Sequence, residues 1–99
     1  RSEPDAGPDV YICLAGDQAI KTGALTAKEL REAGLTVVQE TLRRSIKSQL
    51  RDANRIGSRW AVIIGQNEIE SNTAQLKSME QEGRQVEVPR SDLLKHIKK

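Results

Sequence analysis

A chain of 99 residues has room for one domain with a modest core, and a net charge of +2 says little until its placement is known. Valine, isoleucine and leucine number 23 while Tyr11 and Trp60 are the only aromatics, which makes the core aliphatic and excludes the composition of a disordered chain. No run approaches the ~18 apolar residues of a membrane span, no signal-peptide pattern opens the chain, and the single Cys13 cannot form an internal disulfide.

That cysteine usage fits a reducing compartment, the cytoplasm or an organelle interior. Residues 1–8, rich in proline, glycine and charge, read as a linker, with one α/β domain expected over 9–99. The run 10–15 (Val-Tyr-Ile-Cys-Leu-Ala) is too short for a helix and suits a strand buried on both faces. Gly16-Asp17 breaks it, with Asp17 a candidate cap. Over about 18–33, Ile20, Ala24, Ala27 and Leu30 fall at helical spacing, and Gly34 is a stop signal. Residues 35–39 give a second strand centred on Val37 and Val38.

Ser45 is the expected N-cap of the next helix, whose inward arc is Ile46, Leu50, Ala53 and Gly57. The run 60–65 is the clearest buried strand. A polar segment, 66–72, follows. Next comes 73–79, where Ala74, Leu76 and Ser78 alternate with a wet face of Gln75, Lys77 and Met79. After a turn at 80–83, residues 84–88 alternate again with Val86 and Val88 inward, and Pro89 and Ser91 introduce a last helix carrying Leu93, Leu94 and Ile97. The order β-α-β-α-β-β-β-α predicts a three-layer α/β domain. Its five-stranded mixed sheet is mostly parallel, with helices on both faces, right-handed crossovers, and the final hairpin at one edge.

No catalytic constellation emerges. His96 lies among Lys95, Lys98 and Lys99 at the end of the last helix, where positive charge suits the macrodipole. Cys13 lies inside an apolar strand and reads as an inert buried thiol. There is no paired Cys or His with metal-ligand spacing, no acidic calcium loop and no glycine-rich phosphate loop. Glu68 and Glu70 have no partner groups for acid–base work. Neither catalytic residues, nor a metal site, nor a cofactor of its own is expected in this chain.

The positive charge is concentrated instead. Arg43, Arg44, Lys47, Arg51 and Arg55 sit at the start and along one side of the second helix, interrupted only by Asp52. A solvated outer face is the plain explanation. In an open α/β sheet, however, ligands meet the carboxyl ends of the parallel strands and the helix N-termini there. Arg43 and Arg44 precede such a helix start, and the segment beginning at Gln66 leaves the third strand at the same edge. Glu68 and the wet-face Lys77 are expected to join them. Cations for phosphates, with a carboxylate for the N–H donors of guanine, suit single-stranded RNA. Trp60, which begins a buried strand, is read as core rather than as a stacking platform.

The string Arg44-Ser45-Ile46-Lys47-Ser48-Gln49-Leu50-Arg51-Asp52-Ala53-Asn54-Arg55-Ile56-Gly57, with Ala61-Val62-Ile63-Ile64-Gly65 and Glu68-Ile69-Glu70, resembles the anticodon-binding domain of class II aminoacyl-tRNA synthetases. Within that group it is most similar to the C-terminal domain of histidyl-tRNA synthetases. The family string is Arg-Ser-Leu-Lys-x-Gln-Leu, Ala-Asp-x-x-Gly-Ala and Ile-Ile-Gly-x-x-Glu-Leu. Ile46, Asn54 and Ser58 depart mildly from it, Asn67 stands where an acid is common, and 75–88 is less family-like. The resemblance covers the chain from about Asp9 onward.

It implies that the chain is a fragment of a homodimeric parent enzyme that activates histidine with ATP, and Mg, in a separate catalytic domain. The implied partner is the anticodon loop of a tRNA, met at Arg43, Glu68 and Lys77, with Arg44 and Lys47 as phosphate partners. A second reading, from a different class, is the same fold used only for protein contacts. One form is the synthetase-like regulatory subunit of ATP phosphoribosyltransferase in histidine biosynthesis; another is a dimer-support module.

Overall fold

The computed structural model describes residues 7–39, 45–79 and 85–97. In chain order it contains β1 (Val10–Leu14), α1 (Gln18–Glu32), β2 (Val37–Gln39), α2 (Ile46–Arg55), β3 (Trp60–Ile64), α3 (Gln66–Ser71), β4 (Thr73–Ser78) and β5 (Gln85–Pro89). A 3-10 turn (Arg90–Asp92) then leads into α4 (Leu93–Ile97). The strands form one sheet in the order β2-β1-β3-β4-β5. β1 is parallel to both neighbours, and β4 is antiparallel to β3 and β5. This is the expected five-stranded mixed sheet.

Strand alternation splits the interior into two cores. Val10, Ile12 and Leu14 of β1, with Val62, Ile64, Ala74, Leu76 and Val88, form the larger one under Ala19, Ala27 and Leu30 of α1 and Leu93 of α4. The opposite side chains of the same strands, Tyr11, Cys13, Ala61 and Ile63, meet Ala53 of α2, with Ile46, Leu50, Ile56 and Met79 at the margin. Among the described residues, α2 is therefore the helix on the second face, and its packing there is against β1 and β3. Trp60 packs against the larger core, as expected for a core residue.

Several local expectations are corrected. The inward face of α1 is Ala19, Gly23, Thr26, Ala27 and Leu30, while Ile20 is 41% exposed, a rotation of the face by about one residue. A Cβ at Gly23 would stand 2.5 Å from Leu14 Cδ2, so a larger residue there would force the Leu14 side chain to shift. Asp17 makes no side-chain cap. Val86 does share the inner face, opposite Leu76, but on the edge strand it is 47% exposed, leaving Val88 as the buried residue of β5. Gly57 is an exposed turn residue at φ +77° rather than part of the inward face of α2. The polar segment after β3 folds as α3. With no buried residue in the helix, no apolar period could announce it. Its ends carry it instead: the Glu68 carboxylate accepts the Gly65 N–H at 2.8 Å, and Asn72 closes it in the left-handed region.

The position of α2 follows from an interrupted edge. In a parallel sheet the N–H and C=O of one residue point to the same neighbour. Ala15 donates its N–H to Ile64 O on β3, so the polar groups of Leu14 face the β2 side. The last described pairing on that side is Gln39 opposite Ile12. The fully buried Gln49 of α2 supplies the missing pairing: its Oε1 accepts the Leu14 N–H at 2.7 Å and its Nε2 donates to Leu14 O at 2.8 Å. At the other end of β1, buried Asp9 accepts from the N–H and hydroxyl of Thr36 through Oδ2, which sets the entry into β2. Gly7 and Pro8 lie against the turn after α2, with Pro8 O accepting the Arg59 N–H.

Replacing Gln49 by leucine leaves two buried backbone groups unpaired, and urea unfolding should show a loss of about 3 kcal/mol. Ser45→Ala removes the Oγ that accepts the Ser48 N–H at 3.2 Å and should cost only about 1 kcal/mol in the same measurement.

Candidate functional site

The strand order 2-1-3 places a topological switch between β1 and β3, with α1 and α2 leaving on opposite faces, and open α/β sheets bind ligands outside the carboxyl ends of strands at such a point. Here that rim consists of Ala15-Gly16 after β1, Gly65 to Glu68 after β3, and the Ser45 start of α2, which Gln49 fixes above Leu14. Gly65 is buried and close-packed: a Cβ would lie 3.2 Å from Glu68 Oε1 and 3.3 Å from the Ala15 side chain.

Beside the rim, among the described residues, lies a polar face outside the part of the sheet that α2 packs on. Because α2 stops short of β4, the side of that strand opposite the larger core carries Thr73, Gln75 and Lys77, joined on β5 by Gln85 and Glu87. Their hydrogen bonds run across the face. Thr73 Oγ1 donates to Glu87 Oε2 at 2.6 Å, Gln85 Nε2 to Gln75 Oε1 at 3.5 Å, and Gln75 Nε2 to Glu68 Oε2 at 3.4 Å. The half-buried Glu68 thus has one oxygen committed to the Gly65 amide and the other turned toward the open face. That carboxylate can accept further N–H donors from a ligand, and the amide of Gln75 beside it offers both a donor and an acceptor.

The sequence-derived residues fall as follows. Arg43 and Arg44 lie outside the described residues. Lys47 is exposed in the first turn of α2, ahead of exposed Arg51 and Arg55 on the same helix, and Arg55 is tied to Asp52 at 3.5 Å. Lys77 lies opposite Ala61, whereas Gln75 lies opposite Ile63 nearer the rim. Lys77 therefore stands on the open face about 7 Å along the strand from Gln75, not on the rim itself. Among the described residues neither Lys47 nor Lys77 has an ion-pair partner. Glu68 and Lys77 belong to one continuous face through Gln75, while Lys47 approaches from α2.

Gln75 and Gln85 on the polar face, and Gln49 as the anchor of α2, stand outside the sequence-derived set. For Gln75 the signal was present in the β4 alternation, which already put it beside Lys77. His96 is half-buried on α4, and Cys13 is buried in the smaller core. Among the described residues no three His, Cys, Asp or Glu side chains are grouped to hold a metal ion, and no helix is long and apolar enough to cross a membrane.

Known proteins extend this picture. Residues 9–99 match the family model of the anticodon binding domain. The chain is 38% identical over 96 residues to a histidine–tRNA ligase from Dehalococcoides mccartyi, covering 97% of this chain and 23% of that protein. It is 44% identical over 86 residues to the histidine–tRNA ligase of Clostridium kluyveri, covering 86% and 20%. Among solved structures, a histidyl-tRNA synthetase from a Nostoc species superposes with a TM-score of 0.88 at 33% identity, over 99% of this chain and 23% of the other. The RNA-binding domain of a threonyl-tRNA synthetase from Cryptosporidium parvum shares the fold, at a TM-score of 0.84 and 14% identity, over 91% of this chain and 22% of the other. The chain spans about a fifth to a quarter of the length of the histidine–tRNA ligases it matches. It belongs to the anticodon-binding domain family.

Proposed function

We propose that this domain holds the anticodon loop of a histidine tRNA, so that a catalytic part outside the chain charges the correct molecule. The observation that carries the reading is the polar face running from Glu68 through Gln75 to Lys77, uncovered beside the rim of a domain whose relatives are histidine–tRNA ligases. Cationic Lys47 and Lys77, with Arg43 and Arg44 immediately before Ser45 in the sequence, meet phosphates, while Glu68 takes the N–H donors of an unpaired guanine. The parent enzyme, on this reading, activates histidine with ATP and Mg, acts as a homodimer and works in the cytoplasm.

The test is titration of the chain with a histidine-tRNA anticodon stem-loop. With about four phosphates engaged on a single strand, affinity should fall about 50-fold between 50 and 200 mM salt; an aliphatic protein-interaction module would show no such RNA affinity. Arg43→Ala and Lys77→Ala should each weaken binding to every loop sequence alike and flatten the salt dependence by about 0.7 in the log–log slope. Glu68→Gln keeps an oxygen for the Gly65 amide and should leave the slope unchanged while relaxing preference at a guanine, with about 1–3 kcal/mol of discrimination at stake. Unaltered affinity and preference in all three variants would overturn the site.

A further inference from the structure

The helix that presents Glu68 is poorly equipped to hold itself. It has six residues, none of them buried, and a helix that short does not persist on propensity. Ile69 leans on the larger core, and the Glu68 cap closes the first turn. The remaining restraint comes from elsewhere in the chain. Arg90, in the 3-10 turn after β5, donates through Nη1 to Glu68 O at 2.8 Å and to Thr73 O at 3.0 Å, and through Nη2 to Asn72 Oδ1 at 3.1 Å. Its own N–H donates to Asn72 O at 3.0 Å.

One guanidinium therefore grips the backbone of Glu68, the left-handed residue that ends the helix, and the first residue of β4. It does so from the α1 side: Arg90, Asn72 and Ser91 line a cleft with Thr22, Leu25, Thr26 and Glu29 of α1. The planar fork suits this task, because two carbonyls and an amide oxygen must be met at fixed angles by one side chain.

We infer that Arg90 is a positioning residue for Glu68, acting from behind the sheet to fix the carboxylate at the rim without touching the ligand itself. The ligand-directed part of this inference rests on the anticodon reading; the mechanical part does not. Two readouts keep them apart. In Arg90→Met the amides of Gly65 and Ile69, which report the Glu68 cap and the first helical bond, should exchange with deuterium about tenfold faster, since hydrogen bonds to a charged donor are being removed. The amides of β1 and β3 should keep their protection. Arg90→Lys, which retains a donor but loses the fork, should lie between the two.

In stem-loop titrations Arg90→Met should lose the same guanine preference as Glu68→Gln with an unchanged salt slope, and the double variant should be no worse than Glu68→Gln alone. Exchange at Gly65 that matches the unmodified chain overturns the inference, as does a double variant whose losses add. A chain that shows no base preference to begin with refutes the anticodon reading, and the exchange result still decides whether Arg90 holds the helix.

Discussion

The arrangement depends on one side-chain pairing, Gln49 against the last residue of β1. The last residue of β1 presents an N–H and a C=O inside the domain, where an unmatched polar group is costly. A primary amide is the side-chain group that presents a donor and an acceptor in one plane, as a strand does, and Gln49 reaches Leu14 with both. The same contact anchors the first turn of α2 over the carboxyl end of β1. Whatever Lys47 in that turn does, it does from a place chosen by this bond.

A second constraint is unequal coverage of the sheet. The larger core is roofed by α1 and α4, whereas among the described residues α2 alone shields the other side and leaves β4 and β5 bare. A bare antiparallel pair must carry polar side chains, and these strands do: Thr73, Gln75, Lys77, Gln85 and Glu87 share that surface. The result is a hydrogen-bonding surface bordered by a carboxylate, chemically apt for unpaired bases but, among the described residues, without an aromatic platform.

Much of this was legible in the residues. Apolar runs of five or six marked β1 and β3 because strands buried on both faces need no alternation, and strict alternation marked β4 with its wet side chains. Ser45 announced the start of α2, and its Oγ does accept the Ser48 amide. The failures share a cause, which is reliance on periodicity. Helix α3 has no buried residue and is held by its ends and by Arg90, 22 positions along the chain from the Glu68 carbonyl it meets, so no local pattern reveals it. The face of α1 was misjudged because its inward residues are small, Ala19, Gly23 and Ala27, chosen to let the helix lie close to Leu14. Gln49 stood in the motif that suggested the family, but its partner is a strand end defined only by sheet register. For the candidate site, residue types pointed to Glu68 and Lys77, while the glutamine joining them became visible only when β4 and α3 were set side by side.

The most direct test of the account is a map of amide chemical-shift changes in the chain as a histidine-tRNA anticodon stem-loop is added. The account predicts salt-sensitive changes at Gly65, Glu68, Gln75, Lys77 and the first turn of α2, with α4 and the outer face of α1 undisturbed. Changes confined to α1 and α4, or none up to saturating RNA, would contradict it.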